Sequence, residues 1–360
     1  MSPVANTGEY DRESERVVFS SGSEAPSTRI PALLACADGS LLAFAELRDA
    51  AGDAGHIAIG MRRSCDAGNT WGPVAVVCDD GANTWGNPVP VQLAGGRILL
   101  VTTWNLGEDT ERAILDGSAQ DSRRVRVLRS DDGGETWSDP VEITDQVKRP
   151  SWRWYATGPG SAEPLASGRV LIAANHSDPA YGEPAPYRSH LIYSDDGGDT
   201  WAVGAIVEVT GSNEAQSVQL ADGRVVMYLR DQRLGGKWLA ESGDDGCSVD
   251  RVWRAPLRST ACQGAIVRLA SGALLVTHHA HHSRRRRLAL RLSPDGGTTW
   301  GASTVVCEGP SGYADLVALP DGSAAMLFET EGDIVFARIG TGSVIPASAA
   351  SSDSGSSSSP

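Results

Sequence analysis

The chain has 360 residues, of which 41% are hydrophobic and 21% are charged, so it is large enough to bury an extensive core. Acidic residues outnumber basic ones by 45 to 31, and the net charge of −14 argues against a general nucleic-acid or anionic-membrane surface. Residues 1–15 contain no apolar run typical of a secretory signal. We therefore predict no nucleic-acid or membrane partner, and we expect a monomer. The expected location is cytoplasmic, with secretion as the alternative if the start codon is wrongly assigned.

The first predicted element is a short strand at residues 16–19, which has no hairpin partner directly after it. In propellers such a lone strand commonly completes the last blade and closes the ring, and we predict that role here. Six hairpins of one type follow, each with two apolar runs around a Gly-containing turn, at residues 30–45, 89–100, 164–173, 218–227, 266–276 and 316–327.

An eight-residue pattern, Ser-x-Asp-x-Gly-x-Thr-Trp, recurs between these hairpins at residues 64–71, 130–137, 194–201 and 293–300. A fifth copy at residues 242–248 keeps the Ser, Asp and Gly but lacks the Trp. The Asp can cap backbone amides, the Gly can adopt positive φ, and the Thr-Trp pair opens the next apolar run, so each copy predicts a tight turn. Repeats of this kind along the chain indicate four-stranded units arranged radially. We therefore predict an all-β fold, a six-bladed β-propeller.

The predicted domain organisation has three segments. Residues 1–15 form a flexible leader, residues 16–340 form the propeller, and residues 341–360 form a disordered, Ser-rich tail with too few apolar residues to fold. No window keeps a sustained 3.6-residue period, so we expect almost no helix.

Cysteines and histidines do not predict a metal site. Six cysteines are scattered without a Cys-x-x-Cys pair, which favours buried free thiols, with disulfides as the alternative. Four histidines lie within residues 278–282, but adjacent side chains on a strand point apart. We predict neither a metal nor a cofactor.

Three arginines at predicted strand edges are candidates for a binding site at the centre of the ring. They are Arg29, Arg230 and one member of the run at residues 284–287. A lone arginine is most often a solvated surface charge, but arginines from well-separated blades converge in a ring. Three of them around one carboxylate would bind it through charge-assisted hydrogen bonds. The run also suggests a nucleic-acid patch, but in an acidic chain without interleaved aromatics it favours a solvated strand edge with one inward arginine.

Several segments together resemble the non-viral sialidases (neuraminidases), a family with Asp-box, or BNR, repeats. Besides the boxes, the segments are residues 29–34, 85–88, 154–160, 213–216 and 309–316. The resemblance spans residues 17–339, and its specificity comes from the Arg-Ile-Pro start, the Asn-Glu pair and the Tyr-x-Asp-Leu segment taken together. It implies an exo-α-sialidase that removes terminal sialic acids from sialylated glycans and needs no metal.

The resemblance implies that Arg29, Arg230 and Arg285 bind the substrate carboxylate. Within its run, Arg285 is chosen because it lies three residues before Leu288, as the family's third arginine precedes the leucine of its next strand. Glu329 matches the acidic position that orients the first arginine.

The resemblance assigns the chemistry to three other residues, with Arg48 lining the site near them. Tyr313 matches the nucleophile, Glu214 its base partner, and Asp53 the general acid and then base. Sialidases are a recognised exception to the carboxylate nucleophile of retaining glycosidases. Sialic acid has a carboxylate on its anomeric carbon, and at about 3 Å an anionic nucleophile would be repelled by several kcal/mol, which a neutral phenol avoids. The expected outcome is retention of anomeric configuration.

Each catalytic assignment has an ordinary structural alternative. Tyr313 could belong to the core, Glu214 could cap a turn, and Asp53 lies in a Gly-rich loop. The functional alternatives are a non-catalytic sialic-acid-binding propeller, a trans-sialidase and a hydrolase of deaminated sialic acid. A lectin would have little reason to retain all three residues. Asp231 and Phe328 stand where the family often has Asn and Tyr, which bears on substrate preference.

Overall fold

The computed structural model describes Tyr10, residues 12–182 and residues 186–340. The first twelve strands are β1 (Arg16–Ser20), β2 (Ser27–Ala35), β3 (Leu41–Arg48), β4 (Ile57–Ser64), β5 (Ala75–Cys78), β6 (Thr84–Gln92), β7 (Ile98–Asn105), β8 (Arg124–Ser130), β9 (Val141–Glu142), β10 (Tyr155–Thr157), β11 (Val170–Ser177) and β12 (Tyr187–Ser194). The next six are β13 (Ala202–Ile206), β14 (Ser212–Gln219), β15 (Val225–Asp231), β16 (Lys237–Ser242), β17 (Arg251–Arg254) and β18 (Ile266–Arg268). The last six are β19 (Leu274–His279), β20 (Arg286–Ser293), β21 (Thr304–Pro310), β22 (Ala314–Ala318), β23 (Ala324–Glu329) and β24 (Asp333–Ile339).

These strands form four separate four-stranded sheets, in the orders β1-β24-β23-β22, β10-β11-β12-β13, β14-β15-β16-β17 and β18-β19-β20-β21. The other eight strands form one larger sheet, with the order β2-β3-β4-β6-β7-β8-β9 and β5 paired to β4. A parallel bridge between Ile57 and Thr84 joins the two halves of that sheet. The prediction of an all-β, propeller-like fold is confirmed, but the described residues contain four separate four-stranded sheets and not the predicted six.

The first strand closes the structure as predicted. Residues of β1 pair with β24, from Arg16 opposite Phe336 to Ser20 opposite Asp333. Leu33 of β2 and Phe336 lie in the same buried cluster, so the first and last sheets are neighbours. Part of the predicted leader, the 3-10 helix Arg12–Ser14, also contacts β24. Residues 1–9 and 11 of the predicted leader and the predicted tail at residues 341–360 lie outside the described residues.

A buried carboxylate ties several strands together near the centre of the ring. Asp315 of β22 accepts hydrogen bonds from the backbone N–H groups of Leu33 and Ser161, both at 2.8 Å, and from Nε2 of Gln216 at 2.6 Å. Gln216 of β14 in turn accepts from the N–H of Ile266 in β18, at 3.0 Å. Burial raises the pKa of Asp315, and the three donors act in the opposite direction. Strands distant in sequence are therefore held at one axis.

Each of the five Asp-boxes begins at the last residue of a strand, and these strands are β4, β8, β12, β16 and β20. In the box that begins at Ser194, the Ser hydroxyl donates to Asp196 at 2.8 Å and accepts from the N–H of Gly198. Asp196 also accepts from the N–H and the hydroxyl of Thr200, at 2.9 and 2.6 Å. The fifth copy makes the same bonds with Ser248 in place of Thr. The hydrogen bonds of the box therefore survive the loss of its Trp.

Helices are few and short in the described residues. The α-helices are α1 (Glu111–Asp116), capped by the Thr110 side chain, and α2 (Thr144–Val147). A further 3-10 turn lies at Pro179–Tyr181. No helix in the described part of the chain is long and apolar enough to cross a membrane. The six cysteines are free thiols, of which three are buried.

Candidate active site

The ends of several strands surround an open cavity of about 170 Å³. Arg48 is the last residue of β3 and Glu329 the last of β23, whereas the boxes follow the antiparallel strand that comes next. The cavity and the boxes therefore lie at opposite ends of the sheets. Seven of the eight sequence-predicted residues line the cavity, namely Arg29, Arg48, Asp53, Glu214, Arg230, Arg285 and Tyr313. The eighth, Glu329, contacts Arg29.

Tyr313, Glu214 and Arg230 form one hydrogen-bonded group. The Tyr313 hydroxyl donates to Oε1 of Glu214. Arg230 donates to Oε2 of Glu214 at 2.5 Å and to the Tyr313 hydroxyl at 3.1 Å. Burial raises the pKa of Tyr313 well above its ordinary value and Glu214 raises it further, while Arg230 and Arg285 act to lower it. The phenol therefore keeps its proton and presents it to a carboxylate.

Glu329 binds both the Arg29 side chain and the Tyr313 backbone, and so holds the two residues next to each other. Its two carboxylate oxygens accept from Nε and one terminal nitrogen of Arg29, at 3.2 and 3.1 Å. The same oxygens accept from the backbone N–H groups of Ile30 at 2.7 Å and Tyr313 at 3.0 Å. A bidentate pair of this kind leaves little freedom to the guanidinium. Ile30 has a φ of 58°, a strained value for a β-branched residue, and it lines the cavity.

The three predicted arginines converge around Tyr313. The guanidinium carbons of Arg29 and Arg285 lie 5.2 and 5.5 Å from the centre of its ring, and Arg230 contacts its hydroxyl. Of the four arginines in the run at 284–287, only Arg285 lines the cavity. In the described part of the chain no carboxylate pairs with Arg285, whereas Arg29 and Arg230 each pair with a glutamate. A cationic group therefore faces the cavity next to the phenol.

Asp53 lies in the loop between β3 and β4, on the rim of the cavity, with 66% of its side chain exposed. Its Oδ1 accepts from Arg48 at 2.7 Å, and Arg48 is itself held by Glu46. Burial raises the pKa of Asp53, but the charge and hydrogen bond of Arg48 outweigh it, so the pKa lies below the ordinary range. Asp53 is therefore ionised when the cavity holds no ligand.

A second group of lining residues was not predicted from the sequence. Its members are polar or aromatic and come mostly from the strands and loops after β5: Glu46, Asn87, Glu111, Arg123 and Trp154. Strand alternation could have indicated Glu46, because it lies two residues before Arg48 and therefore on the same face of β3. No local signal marks Glu111 or Arg123.

The described residues contain no group of three or more His, Cys, Asp or Glu side chains placed to hold a metal ion. His278 and His279 are buried at the end of β19. The expectation that the adjacent histidines point apart is wrong for His281 and His282, whose rings stack with centroids 4.8 Å apart. They follow the end of the strand, where alternation no longer applies.

Comparison with known proteins identifies the family. A family model described as a BNR repeat-like domain matches residues 39–326. The chain is 31% identical over 361 residues to the sialidase of Micromonospora viridifaciens, covering 94% of this chain and 55% of that protein. It is 30% identical over 299 residues to an exo-alpha-sialidase of Aspergillus fumigatus, covering 77% of this chain and 70% of that protein. The solved structure of the Hadza microbial sialidase Hz136 is similar, with a TM-score of 0.82 and 26% identity over 91% of this chain and 68% of that one.

The chain thus spans little more than half the length of the Micromonospora relative and about seven-tenths of the Aspergillus relative. The matched region contains the Asp-boxes, and the similarity extends over both the sequence and the fold. The chain therefore belongs to the sialidase family with BNR repeats.

Proposed function

We propose that this protein is a retaining exo-α-sialidase, which hydrolyses terminal α-ketosidically linked sialic acids from glycoconjugates or oligosaccharides. The observation that carries the proposal is the hydrogen bond from the Tyr313 hydroxyl to Glu214, made beside three convergent arginines. Membership of the sialidase family supports the same activity. The glycan is the partner, and no step uses a metal.

Arg29, Arg230 and Arg285 bind the carboxylate of the substrate. Glu329 holds Arg29 and Glu214 holds Arg230, so these two guanidinium groups are already oriented. Arg285 is more exposed and has no acidic partner in the described residues, so an incoming anion completes its interactions. Charge-assisted hydrogen bonds to planar guanidinium groups suit a carboxylate both in charge and in geometry.

Tyr313 attacks the anomeric carbon once the carboxylate is bound. The phenol oxygen forms a bond to that carbon while the bond from the carbon to the aglycone oxygen breaks, and Glu214 takes the phenol proton. The high pKa of the buried phenol makes it a poor nucleophile by itself. The charges of Arg230 and Arg285 act against this, because they stabilise the phenolate as it develops, and Glu214 serves as the acceptor of its proton.

Asp53 serves as general acid and then as general base. It donates a proton to the departing aglycone oxygen, and in the second step it takes a proton from the water that cleaves the bond to Tyr313. Two displacements at one carbon restore the original anomeric configuration. In the free protein Arg48 favours the ionised carboxylate, but a glycan over Asp53 removes water from it, and this desolvation favours the protonated form.

We further propose that the ring has six blades. The eight-stranded sheet divides at the bridge between Ile57 and Thr84 into two four-stranded sets, β2 to β5 and β6 to β9. Six buried apolar clusters support this count, since each packs one set of four strands against the next and the last set packs against the first.

Incubation with a fluorogenic α-sialoside tests the activity. We expect release of the fluorophore by the wild-type protein and a loss of at least about a thousandfold in Tyr313→Phe, whose fold is checked by circular dichroism. Turnover no higher than that of Tyr313→Phe would overturn the proposal. Binding of sialic acid without turnover would instead indicate the non-catalytic sugar-binding propeller.

A further inference from the structure

The loop that contains Asp53 is closed by a histidine that the proposed chemistry does not use. Residues 49–56 join β3 to β4 without regular secondary structure, so the position of Asp53 depends on the contacts that hold this loop. His56 is the last residue of the loop. Its Nδ1 lies 3.1 Å from Oδ2 of Asp49, the first residue of the loop, and its Nε2 lies 3.1 Å from Oδ1 of Asp79, which follows β5. One ring therefore joins both ends of the loop and connects them to a neighbouring segment.

The end of the loop next to His56 is anchored through the backbone. The N–H of Gly55 donates to the carbonyl of Gly107 at 2.8 Å, and the carbonyl of Gly55 accepts from the Thr84 hydroxyl at 2.6 Å. The other end reaches this anchored end through Asp49, whose N–H donates to the His56 carbonyl at 3.3 Å. The proposed acid lies between the two ends, so the contacts of the His56 ring limit how far the loop can open.

The two contacts of the His56 ring require its charged form. A neutral imidazole has one N–H, so it donates to one carboxylate while the lone pair of its other nitrogen faces the second. The imidazolium donates from both nitrogens. Burial acts to lower the pKa of His56, but the hydrogen bonds and charges of Asp49 and Asp79 outweigh it, so the pKa lies above its ordinary value. The bridge is therefore complete while His56 is protonated and loses one carboxylate when the proton leaves.

Other charged groups on the surrounding segments do not replace the two aspartates. These groups are Arg48, Asp53, Asp80 and Glu108, and none of them pairs with His56 in the part of the chain that the structure describes. Arg48 pairs with Asp53, and Asp80 accepts from Nε1 of Trp104 at 3.0 Å. The main influences on the pKa of Asp53 are burial and Arg48, so His56 acts on Asp53 through the position of the loop.

We propose, on the basis of the sialidase activity inferred above, that His56 is a positioning residue, which holds the Asp53 loop at the cavity as an imidazolium bridge between Asp49 and Asp79. Loss of its proton frees one of the two aspartates and lets the loop open. Asp53 then reaches the aglycone oxygen less often, so turnover falls. The contribution of His56 is complete below its unfolded-state pKa of about 6.5 and is lost as the pH rises through the raised pKa of the folded protein.

Proton NMR of the histidine rings tests the bridge independently of activity. The His56 signal is identified by its absence from variants at this position. We expect its pKa in the wild type to lie above about 6.5 and to fall towards that value in Asp79→Asn, which keeps the oxygen that accepts from the N–H of Gly81. Asp131→Asn is the matched control, because Asp131 is also an exposed carboxylate paired with a cation, Arg97, but lies in a box. It should leave the titration of His56 unchanged.

The pH dependence of kcat/KM on one fluorogenic α-sialoside tests the positioning role. Dividing the wild-type value by that of a variant cancels the titration of Asp53 itself. The wild type should exceed His56→Gln by about three- to fivefold at about pH 5, as expected for two partly exposed ion pairs, and by less than about twofold at about pH 9. His56→Arg has a permanent charge and a planar set of donors for both carboxylates. It should match the wild type at about pH 5 and exceed it about threefold at about pH 9.

A His56→Gln ratio that stays constant with pH, a His56→Arg variant that follows the wild type at alkaline pH, or a wild-type His56 pKa at or below about 6.5 would overturn this inference while leaving the sialidase activity intact. Asp79→Asn replaces His56→Gln in the kinetics if circular dichroism shows that the latter does not fold. No turnover by the wild type would instead overturn the proposed function, and the role of His56 with it, even where the NMR titration finds the bridge.

Discussion

Charged side chains have different surroundings at the two ends of the sheets, the box end and the cavity end. At one end, Asp196 has both carboxylate oxygens occupied by the hydroxyls of Ser194 and Thr200 and by backbone amides, and this arrangement recurs in all five boxes. At the other end, charges from different strands crowd around a cavity. There Arg123 and Arg230 each keep a buried Nε without a partner in the described residues. The box carboxylates are satisfied within their own turns, whereas two cavity arginines keep a donor without a partner in the described residues.

This difference indicates where stability and function reside. Each box hydrogen bond contributes about 0.5–1.5 kcal/mol to folding, whereas a buried donor without a partner costs about 1–3 kcal/mol. Substitutions at the boxes should therefore affect unfolding, and substitutions at the cavity should affect turnover. The following predictions test that separation, from the largest expected effect to the smallest.

Replacing Tyr313 by Phe removes the proposed nucleophile and its hydrogen bond to Glu214. We expect kcat to fall by about a thousandfold or more, because no other group is placed to form the covalent bond. The midpoint of thermal unfolding should change little, since the ring packing is kept. A variant with kcat within tenfold of the wild type would contradict the nucleophile assignment.

Replacing Arg285 by Ala removes one of the three proposed ligands of the substrate carboxylate. We expect kcat/KM to fall by about 10- to 100-fold, as for the loss of a charge-assisted hydrogen bond. Folding should be unaffected, because Arg285 is exposed. Steady-state kinetics with the neighbouring Arg286→Ala as the control distinguishes loss of a carboxylate contact from loss of positive charge in general. Arg286 does not line the cavity, so Arg286→Ala should retain activity within about twofold. Equal losses in both variants would show that the effect is one of general charge.

Replacing Arg48 by Gln should shift the pH profile of activity. Arg48 keeps the pKa of Asp53 below its ordinary range, and the general acid works only while protonated, so activity falls as the pH rises above that pKa. Without Arg48 the pKa of Asp53 rises, and the alkaline limb of kcat/KM should move to higher pH. The surface variant Arg97→Gln, whose partner Asp131 is exposed, serves as the control. An unmoved limb in Arg48→Gln would argue against Asp53 as the acid.

Replacing Asp196 by Ala should lower the free energy of unfolding by about 1–2 kcal/mol and leave kcat within twofold. The hydroxyl and N–H of Thr200 lower the pKa of Asp196 to about 2. Its contribution is therefore present above an unfolded-state pKa of about 3.9 and is lost as the pH falls towards 2. Denaturant unfolding should show that the free energies of unfolding of Asp196→Ala and of the wild type differ less at pH 2.5 than at pH 7.

Asp195→Ala is the control for that experiment. Asp195 lies in the same turn as Asp196, but its side chain is exposed and pairs with Arg169. It should cost about 0.5 kcal/mol or less. A loss for Asp195→Ala as large as that for Asp196→Ala would mean that the box hydrogen bonds have no special role.

The sequence predicted the repeated end well because its signals are local. The Ser, Asp and Thr of each box lie within seven residues and bond to one another, so the pattern implies the turn. The lone first strand was also predicted, since its lack of a hairpin partner is visible in the chain. The fusion of two strand sets into one eight-stranded sheet was not, because it depends on a single bridge between Ile57 and Thr84.

The cavity was predicted only in part. Family resemblance brought together residues such as Arg29, Glu214 and Tyr313, which are far apart in the chain. Arg123 could not be found this way, because nothing local distinguishes it from its neighbour Arg124, which has surface ion pairs. Its burial depends on Trp154 and on the room left at Gly86, both distant in sequence.

The most direct test of the mechanism is proton NMR of the first-formed product during hydrolysis of an α-sialoside. Two displacements through Tyr313 predict that the α-anomer of free sialic acid appears first and then mutarotates to the β-anomer. Initial formation of the β-anomer would contradict the tyrosine nucleophile.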